Sequence, residues 1–125
     1  MKKIIISILF SQTLLFYYDQ VIAGEYKKVY FAGGCFWCME ESFDTVDGVI
    51  KSISGYSGGK LKNPTYKDVI YKDTGHVETI EITYDPKKVS YEKLVEVFWK
   101  NIDPFDKYGQ FCDKGKSYRS VIFYE

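Results

Sequence analysis

The sequence predicts an α+β fold of the ferredoxin-like kind, a βαβ-βαβ two-layer sandwich with helices on one face of a mixed sheet. Two observations predict it. The patterns typical of strand, helix and strand occur in that order twice, and two such units in succession form one sheet with its helices packed against it. A length of 125 residues with 46% hydrophobic content fits one domain.

The first unit consists of a short apolar strand, a helix that follows two glycines, and a second strand. We place these elements at Val29–Ala32, Cys35–Val46 and Val49–Ser54. The next stretch, Gly55–Gly75, is rich in turn residues and predicts a long loop with one helical turn near Tyr66–Tyr71. A loop of this length in a compact domain is usually functional or disordered.

The second unit begins with the clearest strand of the chain, Val77–Tyr84. Ser90 is the predicted N-cap of a helix with an apolar stripe at i, i+3 and i+4. An irregular segment at 101–117 and a strand at 118–124 complete the prediction. The apolar stripe of this helix consists of Leu94, Val97 and Phe98. Phe98 and the neighbouring Trp99 are expected in the core of the protein.

Charge gives no sign of a polyanionic partner. The chain has 17 basic and 17 acidic residues and a pI near 6.6. No long-range field would attract it to nucleic acid or to an anionic membrane.

The N-terminus has the pattern of a secretory signal peptide. Lys2 and Lys3 precede an apolar run from Ile4 to Phe16, and Val21-Ile22-Ala23 follows polar residues. Cleavage after Ala23 would leave a domain at 24–125, exported to the bacterial periplasm or secreted, without stable membrane association. An uncleaved anchor and a buried helix are the alternatives. The chain stops at Glu125, at the end of a predicted strand, which indicates a truncated C-terminus.

Cys35 is a candidate nucleophile. It stands at the first turn of the predicted helix, directly after Gly33 and Gly34. Unpaired N–H groups and the positive end of the helix dipole favour an anion there, and the thiolate is the nucleophilic form of cysteine. The glycines supply turn conformations and allow close approach to the backbone.

Two further cysteines could take part in redox chemistry. Cys38 lies one helical turn from Cys35, which is within disulfide reach, although inert burial and zinc ligation are alternatives. Only Cys112 and the lone His76 remain to complete a zinc site, so we expect no metal. Cys112 lies in a polar loop and could equally be a spare thiol.

The strand at 77–84 predicts an acid. By its two-residue period, His76 and Glu78 share a face with the apolar residues Ile80, Ile82 and Tyr84, whereas Val77, Thr79, Glu81 and Thr83 face solvent. Burial would keep Glu78 protonated and able to donate a proton. The alternatives are an exposed strand-end Glu78 and, for His76, a base or a structural hydrogen-bonded residue.

Several separated motifs then resemble one family. They occur in the order and spacing of the A-class peptide methionine sulfoxide reductases, and they span the chain from Tyr30 to Tyr124. These motifs are Gly34-Cys35-Phe36-Trp37, Gly55-Tyr56-Ser57-Gly58-Gly59, Asn63-Pro64-Thr65-Tyr66, Thr74-Gly75-His76-Val77-Glu78, Tyr84-Asp85-Pro86 and Tyr118-Arg119-Ser120.

The resemblance implies thiol-dependent reduction of the S epimer of methionine sulfoxide, free or in proteins, and so repair of oxidised proteins. It assigns the nucleophile to Cys35 and the acid to Glu78. It also implies that Phe36 and Trp37 bind the methyl group of the substrate and that Tyr66 and Tyr118 donate hydrogen bonds to the sulfoxide oxygen. Asp113 matches a carboxylate near the substrate. On chemistry alone, Phe36 and Trp37 could equally be core residues.

The same resemblance implies how the enzyme is regenerated. The sulfenic acid on Cys35 condenses with a second thiol, for which Cys38 and Cys112 are the candidates, with a slight preference for Cys38. A thioredoxin-like donor then reduces the disulfide, without a bound cofactor. In many family members the second thiol lies in a C-terminal tail that this sequence lacks.

Two other classes of function remain open at this point. One is a thioredoxin-type dithiol-disulfide oxidoreductase that uses Cys35 and Cys38 and tolerates loss of Glu78. The other is an exported binding module whose aromatic pocket holds Met-rich or apolar peptides.

Overall fold

The computed structural model describes residues 25–124. The predicted signal peptide, residues 1–23, lies outside them. The main elements are β1 (Lys27–Ala32), α1 (Phe36–Asp44), β2 (Val49–Ser57), α2 (Tyr66–Tyr71), β3 (Val77–Tyr84), α3 (Tyr91–Lys100) and β6 (Val121–Phe123). A small hairpin of β4 (Gly109–Gln110) and β5 (Asp113–Lys114) and a 3-10 helix (Lys116–Tyr118) precede β6.

The four long strands form one sheet in the order β2-β3-β1-β6, and the α+β class is confirmed. All pairs in this sheet are antiparallel. The prediction of a mixed sheet was therefore wrong. The two strands of each βαβ unit are parallel, but a strand of the other unit lies between them, so parallel strands are never neighbours.

The core lies between this sheet and the helices α1 and α3. Phe31 at the centre of the sheet packs against Phe43 of α1 and Phe98 of α3, with ring centroids 5.6 and 5.1 Å apart. The buried cluster comprises Val29, Phe31, Phe36, Met39, Phe43, Ile80, Ile82, Tyr84, Val89, Leu94, Phe98 and Ile102. Phe98 is in the core as predicted, whereas Trp99 is 52% exposed because it lies about 100° further round the helix.

The strand β3 differs from the prediction on its second face. Val77, Thr79 and Thr83 are buried although they were expected to face solvent. Because β3 is flanked by strands on both sides, cross-strand neighbours cover its short side chains. On this face Glu81 is half-buried and accepts hydrogen bonds from Lys28 (2.7 Å) and Tyr30 (3.0 Å).

Candidate active site

The turn before α1 presents Cys35. Gly34 has φ +91°, a conformation that favours glycine, and a Cβ there would lie 2.7 Å from the Cβ of Gln110. Cys35 occupies the N-cap position, one residue before the helical turn where the sequence placed it, and its side chain makes no capping hydrogen bond. It is half-buried and reduced. The sulfur is therefore available for chemistry rather than for capping.

Glu78 lies directly beneath this helix start. It is 2% exposed, and its Oε2 accepts the backbone N–H of Phe36 at 3.0 Å. That N–H is one of the donors that a helix leaves unpaired at its first turn. The carboxyl is thus fixed next to the residue that follows Cys35. The predicted burial of Glu78 is confirmed, and the exposed strand-end alternative is wrong.

The environment of Glu78 favours its protonated form. Burial raises the pKa of this carboxyl, the Phe36 N–H partly opposes that effect, and the charge of Asp113 adds to it. Its second oxygen, Oε1, is buried and has no hydrogen-bond partner in the described part of the chain. Since Oε2 is held by a donor, Oε1 is the oxygen that would carry the proton.

Aromatic side chains form one wall of the site around the ring of Phe36. Its centroid lies 5.4 Å from that of Trp37, 5.7 Å from Tyr56 and 6.4 Å from Tyr66. Phe36 itself is buried, whereas Trp37 is 63% exposed. Trp37 is therefore not a core residue, which was the alternative that the residues alone left open, and its ring is accessible beside Phe36.

Tyr66 and Tyr118 come together from two short elements. Tyr66 starts α2, whose N-terminus is fixed by a capping box between Thr65 and Asp68. Burial, a hydrogen bond with Tyr66 and the charge of Glu78 raise the pKa of Tyr118, in that order. Tyr118 was predicted in a strand but ends the 3-10 helix before β6. It is therefore a neutral hydroxyl donor close to the acid.

The three cysteines line one groove between α1 and the hairpin of β4 and β5, together with Asp113 and Phe111. All three are reduced. Cys38 is exposed as a residue, yet partial burial of its sulfur, a hydrogen bond to Cys35 and the charge of Asp113 raise the pKa of its thiol. Cys112 stands at the exposed tip of the hairpin. The groove thus brings both candidate resolving thiols to the side of Cys35.

His76 is a structural residue. Its Nδ1 accepts the backbone N–H of Gly59 at 3.2 Å, and its Nε2 lies 2.9 Å from the carbonyl oxygen of Leu61, to which it donates in the matching tautomer. Both ring nitrogens therefore hold the loop after β2 against the start of β3. This arrangement supports the structural interpretation of His76 over the catalytic one.

No group of three or more His, Cys, Asp or Glu side chains among residues 25–124 could hold a metal ion. No helix among these residues is long and apolar enough to cross a membrane.

Sequence reasoning missed two residues of this region. Tyr56 was placed in a loop, but β2 extends to Ser57 and carries Tyr56 into the aromatic wall. Gln110 is fully buried under Gly34, and its side-chain amide holds the loop before the hairpin through Asp103. The Gly-Tyr-Ser-Gly-Gly motif was a signal for Tyr56, whereas no local pattern distinguished Gln110.

Comparisons with known proteins agree on one family. The family described as "Peptide methionine sulfoxide reductase" matches residues 27–125. A peptide methionine sulfoxide reductase of Streptococcus agalactiae serotype III is 54% identical over 99 residues, which are 79% of this chain and 59% of that protein. One from Listeria monocytogenes serotype 4b is 60% identical over 98 residues, 78% of this chain and 55% of that protein.

Solved structures give the same result. Methionine sulfoxide reductase A of Corynebacterium diphtheriae superposes with a TM-score of 0.78 at 35% identity, and the match covers 82% of this chain and 48% of that one. Mxr1 of Saccharomyces cerevisiae in reduced form gives 0.75 at 31% identity, over 82% of this chain and 61% of that one. The chain spans somewhat more than half the length of the curated relatives that it matches.

Proposed function

The chain belongs to the peptide methionine sulfoxide reductase family, and from this premise we propose that it reduces the S epimer of methionine sulfoxide, protein-bound or free, to methionine. The observation that carries the proposal is the buried carboxyl of Glu78. It is hydrogen-bonded to the residue directly after Cys35 and has a second oxygen without a partner in the described part of the chain. A nucleophile and an acid are the two groups that sulfoxide reduction requires.

In the proposed reaction, the sulfur of Cys35 attacks the sulfoxide sulfur while Glu78 donates its proton from Oε1 to the sulfoxide oxygen. A sulfur–sulfur bond forms between Cys35 and the substrate as the sulfur–oxygen bond of the substrate breaks and hydroxide leaves. Hydroxide then attacks the sulfur of Cys35, the sulfur–sulfur bond breaks, and Cys35 becomes a sulfenic acid. Methionine leaves with the electron pair, so the substrate is reduced by two electrons and Cys35 is oxidised by two. Glu78 is left as a carboxylate.

The other site residues fit the two ends of the substrate. Tyr66 and Tyr118 would donate hydrogen bonds to the oxygen, where negative charge collects before the proton arrives. Phe36 and Trp37 would receive the apolar methyl group. Asp113 raises the pKa of Glu78 and would favour the protonated acid before the reaction.

Cys38 is the proposed resolving thiol. Cys38 lies one helical turn from Cys35, and a hydrogen bond between the two thiols helps to raise the pKa of Cys38. Condensation of the Cys38 thiol with the sulfenic acid forms the disulfide and releases water. A thioredoxin-like dithiol would then reduce the disulfide by exchange, with no bound cofactor. Cys112, which lines the same groove, is the alternative.

Export is part of the proposal and rests on the sequence of residues 1–23. Their basic start, apolar run and small residue at the expected cleavage site are typical of a signal peptide. The substrates would then be oxidised proteins or free methionine sulfoxide in the bacterial periplasm or outside the cell.

The test is an assay with each epimer of a blocked methionine sulfoxide and dithiothreitol as reductant, comparing wild type with Cys35→Ser. We expect methionine from the S epimer alone, and none with the variant. Equal rates for the two proteins would contradict the proposal. Disulfide reduction without methionine production, which survives Glu78→Gln but not Cys35→Ser, would instead support the thioredoxin-type alternative.

A further inference from the structure

Tyr56 lies beside Glu78 on the neighbouring strand. The antiparallel register of β2 and β3 pairs these two residues directly. Directly opposite residues leave a sheet on the same face, with Cβ atoms about 5 Å apart. Tyr56 is half-buried and also contacts Phe36, at 5.7 Å between ring centroids. Tyr56 thus contacts Phe36, where the substrate methyl group would bind, and lies next to Glu78, the proposed acid.

Resting on the function proposed above, we propose that Tyr56 is a further positioning residue of the sulfoxide site. Its ring supports Phe36 from the side of the sheet. Its hydroxyl donates a hydrogen bond to Glu78 after that acid has given its proton to the substrate.

The ring of Phe36 has three aromatic neighbours. Trp37 and Tyr66 pack against the same ring, but both are exposed and can move toward solvent. Tyr56 is fixed by its strand and is less exposed. It is therefore the rigid support that keeps Phe36 at the right distance for a methyl group.

The two carboxyl oxygens of Glu78 differ in their hydrogen bonds. While Glu78 is protonated, Oε1 can donate to the substrate and needs no other partner. Once the proton has left, Oε1 is part of a buried carboxylate whose only described donor is the Phe36 N–H, on the other oxygen. A buried anion without donors is costly, so the neighbouring Tyr56 hydroxyl would favour proton transfer once Oε1 moves within hydrogen-bond distance of it.

Four groups face Glu78 from the elements around it. Tyr66 and Tyr118 are hydrogen-bonded to each other, and Asp113 repels the carboxylate. Burial, followed by the charges of Glu78 and Tyr66, raises the pKa of Tyr56 and keeps its hydroxyl protonated. Tyr56 can therefore act as a donor. The full set is the Phe36 N–H from α1, Tyr56 from β2, Asp113 from β5 and Tyr118 from the 3-10 helix.

The first experiment measures methionine release in a single turnover of the reduced chain, without added reductant, as a function of pH. Tyr56→Phe keeps the ring and removes the hydroxyl. We expect a rate at saturating sulfoxide about tenfold lower, the smaller end of what one hydrogen bond to a charged group contributes. The half-saturating concentration should stay unchanged. The loss of activity at high pH should move to higher pH, because ionised Glu78 has lost a donor.

Two variants separate the ring from the hydroxyl. Tyr56→Leu removes both and should also raise the half-saturating concentration severalfold. Tyr71→Phe is the matched control, because Tyr71 is 79% exposed at the end of α2, and it should behave as wild type. If Tyr56→Phe matches wild type in rate and pH profile, the proposal is wrong.

A second experiment does not depend on turnover. Carbon-13 NMR of the Glu78 carboxyl gives its titration directly, and Tyr56→Phe should raise that pKa. An unchanged titration overturns the hydroxyl role even if the rate falls, and it does so even if wild type reduces no sulfoxide and the proposed function fails. If Tyr56→Phe does not fold, Tyr56→3-fluorotyrosine keeps the ring and gives a stronger donor. The Glu78 titration should then move to lower pH.

Discussion

Glu78 illustrates how a single residue can be useful for chemistry and costly for stability. The folded chain buries its carboxyl and supplies one backbone donor, so its pKa is raised by burial. In the unfolded chain a glutamate ionises near pH 4.3. Folding therefore has to keep a proton on Glu78, or bury a charge, at any pH above that value. The same burial makes it an acid at the pH where the proposed reaction needs one.

Glu78→Gln should separate these two effects. We expect the rate of sulfoxide reduction to fall by about 10²- to 10⁴-fold, the usual contribution of a general acid. Wild-type activity should fall as pH rises through the raised pKa of Glu78. The residual activity of the variant should not show this decrease. Glu25→Gln, an exposed glutamate outside the site, is the control for activity and pH profile.

The stability of the same variant has a definite sign. Between the unfolded and folded pKa values the folded chain binds more protons, so wild-type stability decreases as pH rises through that window and stays lower above it. Glu78→Gln does not titrate. Its melting temperature should exceed that of wild type at pH 8, and the difference should shrink below pH 4. A difference independent of pH would show that the carboxyl is not protonated by folding.

Cys38 should control how fast the sulfenic acid is resolved. Its thiol pKa is raised, and the thiolate is the attacking form, so disulfide formation should accelerate with pH beyond the range of an ordinary thiol. After one equivalent of sulfoxide, peptide mapping should find Cys35 bound to Cys38, in wild type and in Cys112→Ser. A disulfide from Cys35 to Cys112 alone would reverse the assignment.

At the scale of elements, the turn before α1 depends on the hairpin beneath it. Gly34 has a positive φ and lies against Gln110, which in turn holds the loop at Asp103. An alanine at position 34 would meet a left-handed backbone, about 1–2 kcal/mol, and an overpacked contact, about 1–3 kcal/mol. We expect Gly34→Ala to lower the free energy of unfolding by about 2–5 kcal/mol in urea titrations.

Gly55→Ala is the matched control for this turn. Gly55 lies in β2, and a Cβ there would have no neighbour within 4 Å. Alanine in a strand is less costly than glycine, so the variant should be as stable as wild type or slightly more stable. If both variants lose stability equally, the contact with Gln110 does not explain the effect at Gly34.

The elements differ in how far local sequence determines them. The strand β3 and the cap of α3 at Ser90 were predicted correctly, because alternation and capping are local signals. The end of β2 was not, since Gly55 to Ser57 resemble a turn but pair with β3, and tertiary pairing outweighs their weak strand preference. The hairpin of β4 and β5 was missed for the same reason. The same difference applies to the residues of the candidate site. Cys35 and Glu78 could be inferred from the sequence of their own elements, whereas Tyr56 could be found only from the pairing of β2 with β3.

For the molecule as a whole, Phe31 joins the two layers. It is fully buried at the centre of the sheet, and its ring packs on both α1 and α3. A chain with one core of this kind should unfold in a single cooperative transition. The two tryptophans report on this directly, because Trp37 lies on α1 and Trp99 on α3. The variants Trp37→Phe and Trp99→Phe, each with one tryptophan, should show fluorescence midpoints in urea that coincide with the midpoint from circular dichroism of the same variant.

Phe31→Ala tests whether this one side chain couples the layers. Loss of a buried phenylalanine costs about 3–5 kcal/mol, a large part of the roughly 5–15 kcal/mol by which domains are stable. We expect the urea midpoint to fall accordingly, with both helices affected alike because both pack on the same ring. Phe105→Ala, at a residue that is 94% exposed, should change stability by less than about 0.5 kcal/mol. Separate midpoints for Trp37 and Trp99 in Phe31→Ala would mean that each helix is held mainly by its own contacts with the sheet, and the site between α1 and β3 would then be independent of α3.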